Sequence, residues 1–171
     1  GSAGEPHRGF HLHAGEDDAV IQDLTITGGC HAGGGAVLCD GASPAFNGCR
    51  FTGNSTTSAT DGGAVQCMNG ATPVFNACLF SDNHAADDGG ALQCRDGAYA
   101  DLNDCLFHAN EAGDSGGAIY LTTAGGATLE GCTLADNHAA GLGAAASVRE
   151  SCTLTCDRTI IAYNGAGQAV H

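Results

Sequence analysis

The sequence contains no lysine and no tryptophan, only 3 prolines, and only 5% aromatic residues. Its 5 basic residues are all arginine and stand against 19 acidic residues, which gives a formal net charge of −14 at pH 7. A protein of this charge repels phosphate backbones and anionic lipid headgroups, so we expect no nucleic-acid partner. The sequence also lacks an apolar run near the ~20 residues of a membrane span, so we expect no membrane insertion of this segment.

The 171 residues contain instead 28 glycines, 10 cysteines and 43% hydrophobic residues. This glycine content alone is typical of disorder, but the hydrophobic and cysteine content favours a packed core. The length fits one domain, at roughly 100–200 residues per domain. Because the opening Gly1-Ser2-Ala3-Gly4 resembles a cloning scar, we treat residues 1–7 as a tag remnant or lead and residues 8–171 as a single domain.

Two short motifs recur along the chain at a nearly constant spacing. The first is Gly-Gly-Ala followed by an aliphatic residue, which begins at positions 34, 62, 89 and 116. The second places an apolar residue three positions before an asparagine, as in Phe51 with Asn54 and Phe80 with Asn83. A degenerate first copy around Phe10 brings the number of units to about six, which indicates a repeat architecture.

Within each unit, apolar and polar residues alternate with a period of two, which is typical of strands and not of helices. One such unit cannot bury its apolar face, whereas stacked units share a continuous core. The sequence therefore predicts an all-β fold: a parallel β-helix, or β-solenoid, of about six coils of ~27 residues with three short strands per coil.

Five asparagines occupy the same place in successive units, and we expect their side chains to stack and to hydrogen-bond along the solenoid axis. These residues are Asn54, Asn83, Asn110, Asn137 and Asn164. The stretch from each asparagine to the next Gly-Gly holds most of the length variation and most of the charge, so it is a candidate functional edge.

Seven of the ten cysteines fall into two inward columns. The columns are Cys39, Cys67 and Cys94, and Cys49, Cys78, Cys105 and Cys132. A cysteine at such a position packs as a small apolar side chain. Stacked cysteines ~4.8 Å apart lie within the Cα range of a disulfide, but their parallel Cβ vectors disfavour one. Free buried thiols and bridges between coils therefore both stay open.

Two outward columns are candidate binding surfaces. The column on the third strand is apolar, and monomers normally avoid such a stripe, so we expect it to contact another domain, a second copy or a ligand. It consists of Leu79, Leu106 and Ile160. The column on the first strand combines amides with an aromatic ring, which suits carbohydrate. It consists of Gln66, Gln93 and Tyr120. The alternative is that isolated exposed leucines carry no function.

Polysaccharide cleavage would need two carboxylates about 5–9.5 Å apart, or a base with an acidic or metal partner. Outward positions of the predicted first strands contain no acid, those of the second strands contain only Asp101, and those of the third contain none. No strand face therefore carries a predicted catalytic pair, and we assign no catalytic residue. Most acids lie on loops, where solvated charge is the simplest interpretation.

Two further sets of residues could hold a metal ion. One set follows the ladder asparagine in three successive units and could supply two imidazoles and a carboxylate to a transition metal. It consists of His84, Glu111 and His138. The other set consists of carboxylates beside the Gly-Gly turns, which could bind Ca²⁺ together with turn carbonyls. It consists of Asp61, Asp87, Asp88 and Asp114. The alternative for both sets is that solvated loop residues merely share a column, with no cofactor.

The tandem Gly-Gly-Ala and Phe-x-x-Asn motifs resemble the repeats of polymorphic outer-membrane adhesins and, equally, of bacterial right-handed parallel β-helix proteins of the pectin-lyase-like superfamily. The opening Arg8-Gly9-Phe10-His11-Leu12 is similar to the first coil of many such surface proteins. The resemblance runs from about residue 8 to 168. Gly141-Leu142-Gly143-Ala144-Ala145 in the fifth unit departs from the motif, which weakens the adhesin likeness there. The resemblance implies right-handedness and an extracellular or bacterial cell-surface location.

These patterns together favour an adhesin-like binding module or stalk of a larger surface protein. We expect a protein or glycan partner on the cell surface, and self-association through the apolar column is a further hypothesis. Two alternatives remain: a polysaccharide-active lyase or glycosidase fragment that uses loop acids, and a purely structural spacer. A carboxylate pair across a groove would favour the enzyme.

Overall fold

The computed structural model describes residues 6–57 and 62–165, and every strand and turn below lies within them. Its regular elements are short β-strands, which we group into six successive coils. Coils 1 and 2 comprise β1 (Phe10–His13), β2 (Val20–Gln22), β3 (Thr25–Thr27), β4 (Cys30–His31), β5 (Val37–Asp40), β6 (Ala45–Asn47), β7 (Arg50–Thr52) and β8 (Ser55–Thr56). Coils 3 and 4 comprise β9 (Val65–Met68), β10 (Val74–Asn76), β11 (Leu79–Ser81), β12 (His84–Ala85), β13 (Leu92–Cys94), β14 (Tyr99–Asn103), β15 (Leu106–His108) and β16 (Glu111–Ala112). Coils 5 and 6 comprise β17 (Ile119–Leu121), β18 (Gly126–Glu130), β19 (Thr133–Ala135), β20 (His138–Ala139), β21 (Ala146–Val148), β22 (Thr153–Asp157) and β23 (Ile160–Ala162).

Each strand pairs in parallel with the equivalent strand of the next coil, as the repeat predicts. Phe80 of β11, for example, pairs with Phe51 of β7 and with Phe107 of β15. The strands form four sheets, three with six strands and one with five. We name them sheets 1 to 4, in the order in which each coil enters them. The predicted all-β parallel solenoid of about six coils is confirmed.

The sequence predicted three strands per coil, and the structure adds a fourth in the first five coils. These fourth strands have only two residues, as in His84–Ala85, and pair to form sheet 4. Those of coils 2 to 5 follow directly after a ladder asparagine. Two residues are too few to show a period of two, which is why the alternation in the sequence gave no sign of them.

The core consists of columns of identical or similar side chains that stack from coil to coil. The rings of Phe51, Phe80 and Phe107 are fully buried and stack with centroids 4.8 Å and 4.5 Å apart. A second column stacks Phe46 on Phe75 at 5.0 Å, and its rings meet those of the first column edge to face. Offset stacked and edge-to-face contacts are both favourable arrangements of aromatic rings, so contacts within and between the two columns stabilise the core.

The asparagine ladder is present as predicted. The side-chain amide of Asn83 donates to Oδ1 of Asn110 at 2.9 Å, and that of Asn110 donates to Oδ1 of Asn137 at 2.9 Å. Asn54 and Asn137 make the same contact with Asn83 and Asn164. The same oxygen atoms accept backbone N–H groups, as from Asn83 to Asn110 at 3.2 Å. The ladder therefore satisfies buried backbone groups where each chain turn leaves sheet 3.

The cysteine columns face the core, and all ten cysteines of the chain are free in the structure. Cys39, Cys67 and Cys94 are fully buried. Hydrogen bonding to the thiols of Cys39 and Cys94, together with burial, raises the pKa of Cys67 well above its ordinary value. In the other column, the Cys105 thiol donates to the carbonyl of Phe75 at 3.5 Å. These thiols therefore pack as small apolar groups with weak hydrogen bonds.

The Gly-Gly pairs allow coils to approach where the chain enters sheet 1. Gly89 has φ +69°, which disfavours other residues. A Cβ on Gly90 would lie 2.1 Å from the carbonyl oxygen of Gly117 in the next coil, so no side chain fits. This explains why the second glycine recurs in coil after coil.

Candidate functional site

The predicted apolar column lies on the outward face of sheet 3. Leu79, Leu106, Thr133 and Ile160 pair in strict succession across β11, β15, β19 and β23. Leu106 is 39% exposed and Ile160 is 60% exposed, whereas Leu79 is half-buried. The structure therefore brings these side chains together on one solvent-facing strip, which we call the sheet 3 strip.

The strands around the sheet 3 strip carry no carboxylate. None of the six strands of sheet 3 contains an aspartate or a glutamate, although the chain carries 19 acidic residues. At the end of one strand, Nε2 of His108 lies 3.3 Å from the carboxylate of Asp136. On the side of coil 2, Arg50 occupies the position next to Leu79. The strip is therefore an apolar surface within an acidic protein.

The first-strand column is not exposed, which corrects the prediction that this face meets solvent. Gln66 is 5% exposed, Gln93 is 3% exposed and Tyr120 is 7% exposed. Gln66 donates from Nε2 to Oε1 of Gln93 at 2.7 Å. The turns before sheet 1 cover them, since a Cβ on Gly89 would lie 3.2 Å from Cβ of Tyr120. A sugar cannot stack on side chains that are covered in this way, so we do not assign carbohydrate binding to them.

Tyr120 is held by charged neighbours as well as by the covering turn. Arg149 donates from Nε to the Tyr120 hydroxyl at 3.1 Å. Burial raises the pKa of Tyr120, and the hydroxyl also hydrogen-bonds to Asp88. Through these contacts, Tyr120 on the outward face of sheet 1 connects Arg149 with Asp88 at the turn before sheet 1.

Three of the four predicted calcium ligands lie together beside the turns that precede sheet 1. One carboxylate oxygen from each of Asp87, Asp88 and Asp114 lies within 4.8 Å of the other two. Asp88 is buried and accepts the backbone N–H of Ser115 at 2.8 Å. The fourth residue, Asp61, lies outside the described residues. Calcium binding at this cluster stays a prediction.

The predicted imidazole–carboxylate column has the expected register but its ligand atoms do not converge. His84 pairs with Glu111, and Glu111 pairs with His138. Among the described residues, the sets whose ligand atoms lie within 4.8 Å of one another do not include these three. A metal site shared by these three residues stays a prediction.

The structure places one carboxylate pair on a strand face, which the sequence did not predict. Glu130 and Asp157 end β18 and β22 and pair across sheet 2. The guanidinium of Arg158 forms an ion pair with Glu130 and lies 3.5 Å from the carboxylate of Asp157.

The sequence analysis did not identify a second set of candidate metal ligands, although the repeat contained the signal. His11 and His13 are outward residues of β1, and Asp40 lies beside His13 on β5. Their ligand atoms lie within 4.8 Å of one another. Asp40 follows His13 by 27 positions, one repeat, so the register alone would have placed the two side by side.

The described part of the chain contains no enclosed pocket. It also contains no helix with the length and hydropathy needed to cross a membrane.

Comparison with known proteins gives the class of the fold. The model of the right-handed β-helix region matches residues 76–171, which is more than half of the chain. The chain therefore belongs to the right-handed β-helix family, in agreement with the parallel coils described above. Neither the curated proteins nor the solved structures contain a significant match to this chain.

Proposed function

We propose that this β-helix is a binding module and stalk of an extracellular or cell-surface protein, and that it contacts a protein partner through the sheet 3 strip. The observation that carries the proposal is the exposure of Leu106 and Ile160 next to Leu79 and Thr133 on one sheet face. Large apolar side chains that lie side by side in solvent are typical of a contact surface.

The composition of the strip favours a protein over a glycan. Carbohydrate sites use aromatic faces beside hydrogen-bonding groups, and the outward residues of sheet 3 include no Phe, Tyr or Trp. Aliphatic side chains instead suit the apolar centre of a protein–protein contact, which is depleted of charge. The absence of carboxylates along the strands of sheet 3 means that burial of this face would desolvate no acid there.

The net charge favours a different protein over a second copy of the same chain. Two copies would each carry a charge of −14, and their repulsion opposes association. A partner with a neutral or basic surface around an apolar patch would meet no such cost. We therefore assign the strip to an unlike protein.

The stalk role rests on the continuity of the core. The stacked phenylalanine columns and the asparagine ladder run from coil to coil without interruption through the middle of the solenoid. Each coil adds ~4.8 Å, so six coils extend roughly 29 Å. A solenoid with a continuous core can hold a binding face at a fixed distance from the rest of a larger protein.

The test compares the parent with a double variant, Leu79→Ser with Leu106→Ser, on an array of surface proteins and glycans. The matched control is Val20→Ser with Leu24→Ser, which removes two exposed apolar side chains, 60% and 45% exposed, outside the strands of sheet 3. We expect the strip variant to lose the protein ligands of the parent and the control to keep them. Thermal melts of all three proteins check that the fold is intact.

Two outcomes would contradict the proposal that the strip binds a protein. One is an unchanged set of protein ligands in a folded strip variant. The other is a parent whose ligands are all glycans. If the parent sediments as a dimer and the strip variant as a monomer, the strip joins two copies of this chain, and the assignment to an unlike partner is wrong.

A further inference from the structure

The N-terminal end of sheet 1 brings two imidazoles and one carboxylate together on the surface. His11 and His13 are two positions apart on β1, so their side chains lie on the same face of the sheet. Their ring centroids are 3.9 Å apart. Asp40 pairs with His13 across β1 and β5, and its carboxylate completes a group whose ligand atoms all lie within 4.8 Å of one another.

This donor set suits a divalent transition metal of intermediate hardness. Imidazole nitrogen and carboxylate oxygen bind Zn²⁺ at about 2.0–2.2 Å, whereas Ca²⁺ prefers oxygen ligands alone. Tetrahedral ligands at that distance lie about 3.4 Å from one another. His11 and His13 are both exposed, so small side-chain rotations can close the remaining gap without disturbing the core.

A hydrogen bond from the next coil orients the carboxylate. Asn69 donates from Nδ2 to Oδ1 of Asp40 at 2.7 Å. Contacts of this kind fix the direction of a ligating carboxylate and contribute to affinity. The group thus has three donor side chains and a supporting partner on an adjacent strand.

Solvent reaches this part of sheet 1 but not its later coils. The residues that follow His11 in the same column, including Gln66, Gln93 and Tyr120, are buried under the turns before sheet 1. His11 and His13 are exposed. An ion in solution can therefore approach the first coil at a face that is covered in the third, fourth and fifth coils.

We propose that His11, His13 and Asp40 bind one divalent transition-metal ion of the Zn²⁺ class, with water or a donor from a partner in the fourth position. The site lies on sheet 1 and is independent of the sheet 3 strip, so either can fail without the other.

Isothermal titration with Zn²⁺ tests the site on the parent, on the double variant His11→Gln with His13→Gln, and on a matched control, His84→Gln with His138→Gln. The control also removes two histidines, but from the column whose ligand atoms do not converge. We expect the control to bind like the parent. Removal of an outer-shell partner typically lowers metal affinity about 10–100-fold. The first double variant removes two ligands, so its affinity for Zn²⁺ should fall by more than that.

A second readout separates this site from binding at thiols, because Cys30, Cys152 and Cys156 are partly or fully exposed. The imidazole NMR resonances of His11 and His13 should shift on addition of Zn²⁺, whereas those of His84 and His138 should not. Thermal melts without metal confirm that each variant is folded. If the double variant keeps the affinity of the parent, or if the His11 and His13 resonances do not respond, the proposal is overturned.

Discussion

The middle coils and the last coil of the solenoid carry the same columns of residues but bury them to different degrees. Phe80 in coil 3 is fully buried, whereas Ile161, in the same column of coil 6, is only partly buried. Asn110 in coil 4 is fully buried, whereas Asn164 at the end of the ladder is partly exposed. Leu102 in coil 4 is fully buried, whereas Cys156, in the same column of coil 6, is exposed.

This difference shows that a repeat position has no fixed energetic weight. A residue in a middle coil has equivalent neighbours above and below, and each neighbour excludes water from it. The stability of a solenoid is approximately a sum of contributions within repeats and between adjacent repeats. Substitutions at equivalent positions should therefore differ in effect according to how many neighbours each position has.

The largest difference is expected in the stacked column of sheet 3. Phe80→Ala should lower the free energy of unfolding by about 3–5 kcal/mol, because it leaves a cavity between the rings of Phe51 and Phe107. Ile161→Ala should cost roughly 1–2 kcal/mol, because part of that side chain is already in water. Urea denaturation of both variants measures the two values, and equal losses would mean that the end coil is as well packed as the middle.

A smaller difference is expected in the asparagine ladder. Asn110→Ala should cost roughly 1–3 kcal/mol, because the carbonyl of Phe80 loses a buried donor and Nδ2 of Asn83 loses its acceptor Oδ1. Asn164→Ala should cost less, since Asn164 is partly exposed and water can replace its contacts. Denaturation curves test the order, and a greater loss for Asn164→Ala would contradict it.

The interior of the solenoid could be predicted from the sequence because the same types of side chain recur at a constant spacing. Phe80 and Asn110 recur as a phenylalanine and an asparagine one repeat away, so like side chains had to stack. The outer surface lacked this constraint. Gln66 occupies an outward position in the alternating pattern of its strand. It is nevertheless buried, because a turn from the preceding segment covers it, and the periodicity of the sequence does not indicate such a contact.

The two histidine sets show the same limit for a candidate site. The repeat placed His84 and His138 in one column, and the column exists, but among the described residues their ligand atoms are not in a set that lies within 4.8 Å of one another. His11 and His13 lie on one strand with Asp40 one coil away, and their ligand atoms do meet. A column of histidines along the solenoid is therefore a weaker signal for a metal site than two histidines at alternate positions of one strand beside a carboxylate on the paired strand.

The smallest of the three differences in stability concerns charge, and it contrasts a covered acid of a middle coil with an exposed acid of the last coil. Asp88 is buried at the turn before sheet 1, and burial raises the pKa of its carboxyl, as do the nearby Asp87 and Asp114. The N–H of Ser115 acts in the opposite direction. Glu150, by contrast, lies exposed beside β21.

The sign of the pH dependence follows from the direction of the shift. Because the folded state holds the Asp88 proton more strongly than the unfolded chain, this carboxyl favours folding most below the ordinary pKa of aspartate, about 3.9. Its contribution is lost as the pH rises through the raised pKa of the folded state. Asp88→Asn should therefore raise stability at neutral pH and flatten its pH dependence, since the amide oxygen can still accept the N–H of Ser115. Glu150→Gln should change neither. Urea denaturation between about pH 3 and pH 7 measures both profiles, and a parent-like profile for Asp88→Asn would show that the charge at this turn is not buried in solution.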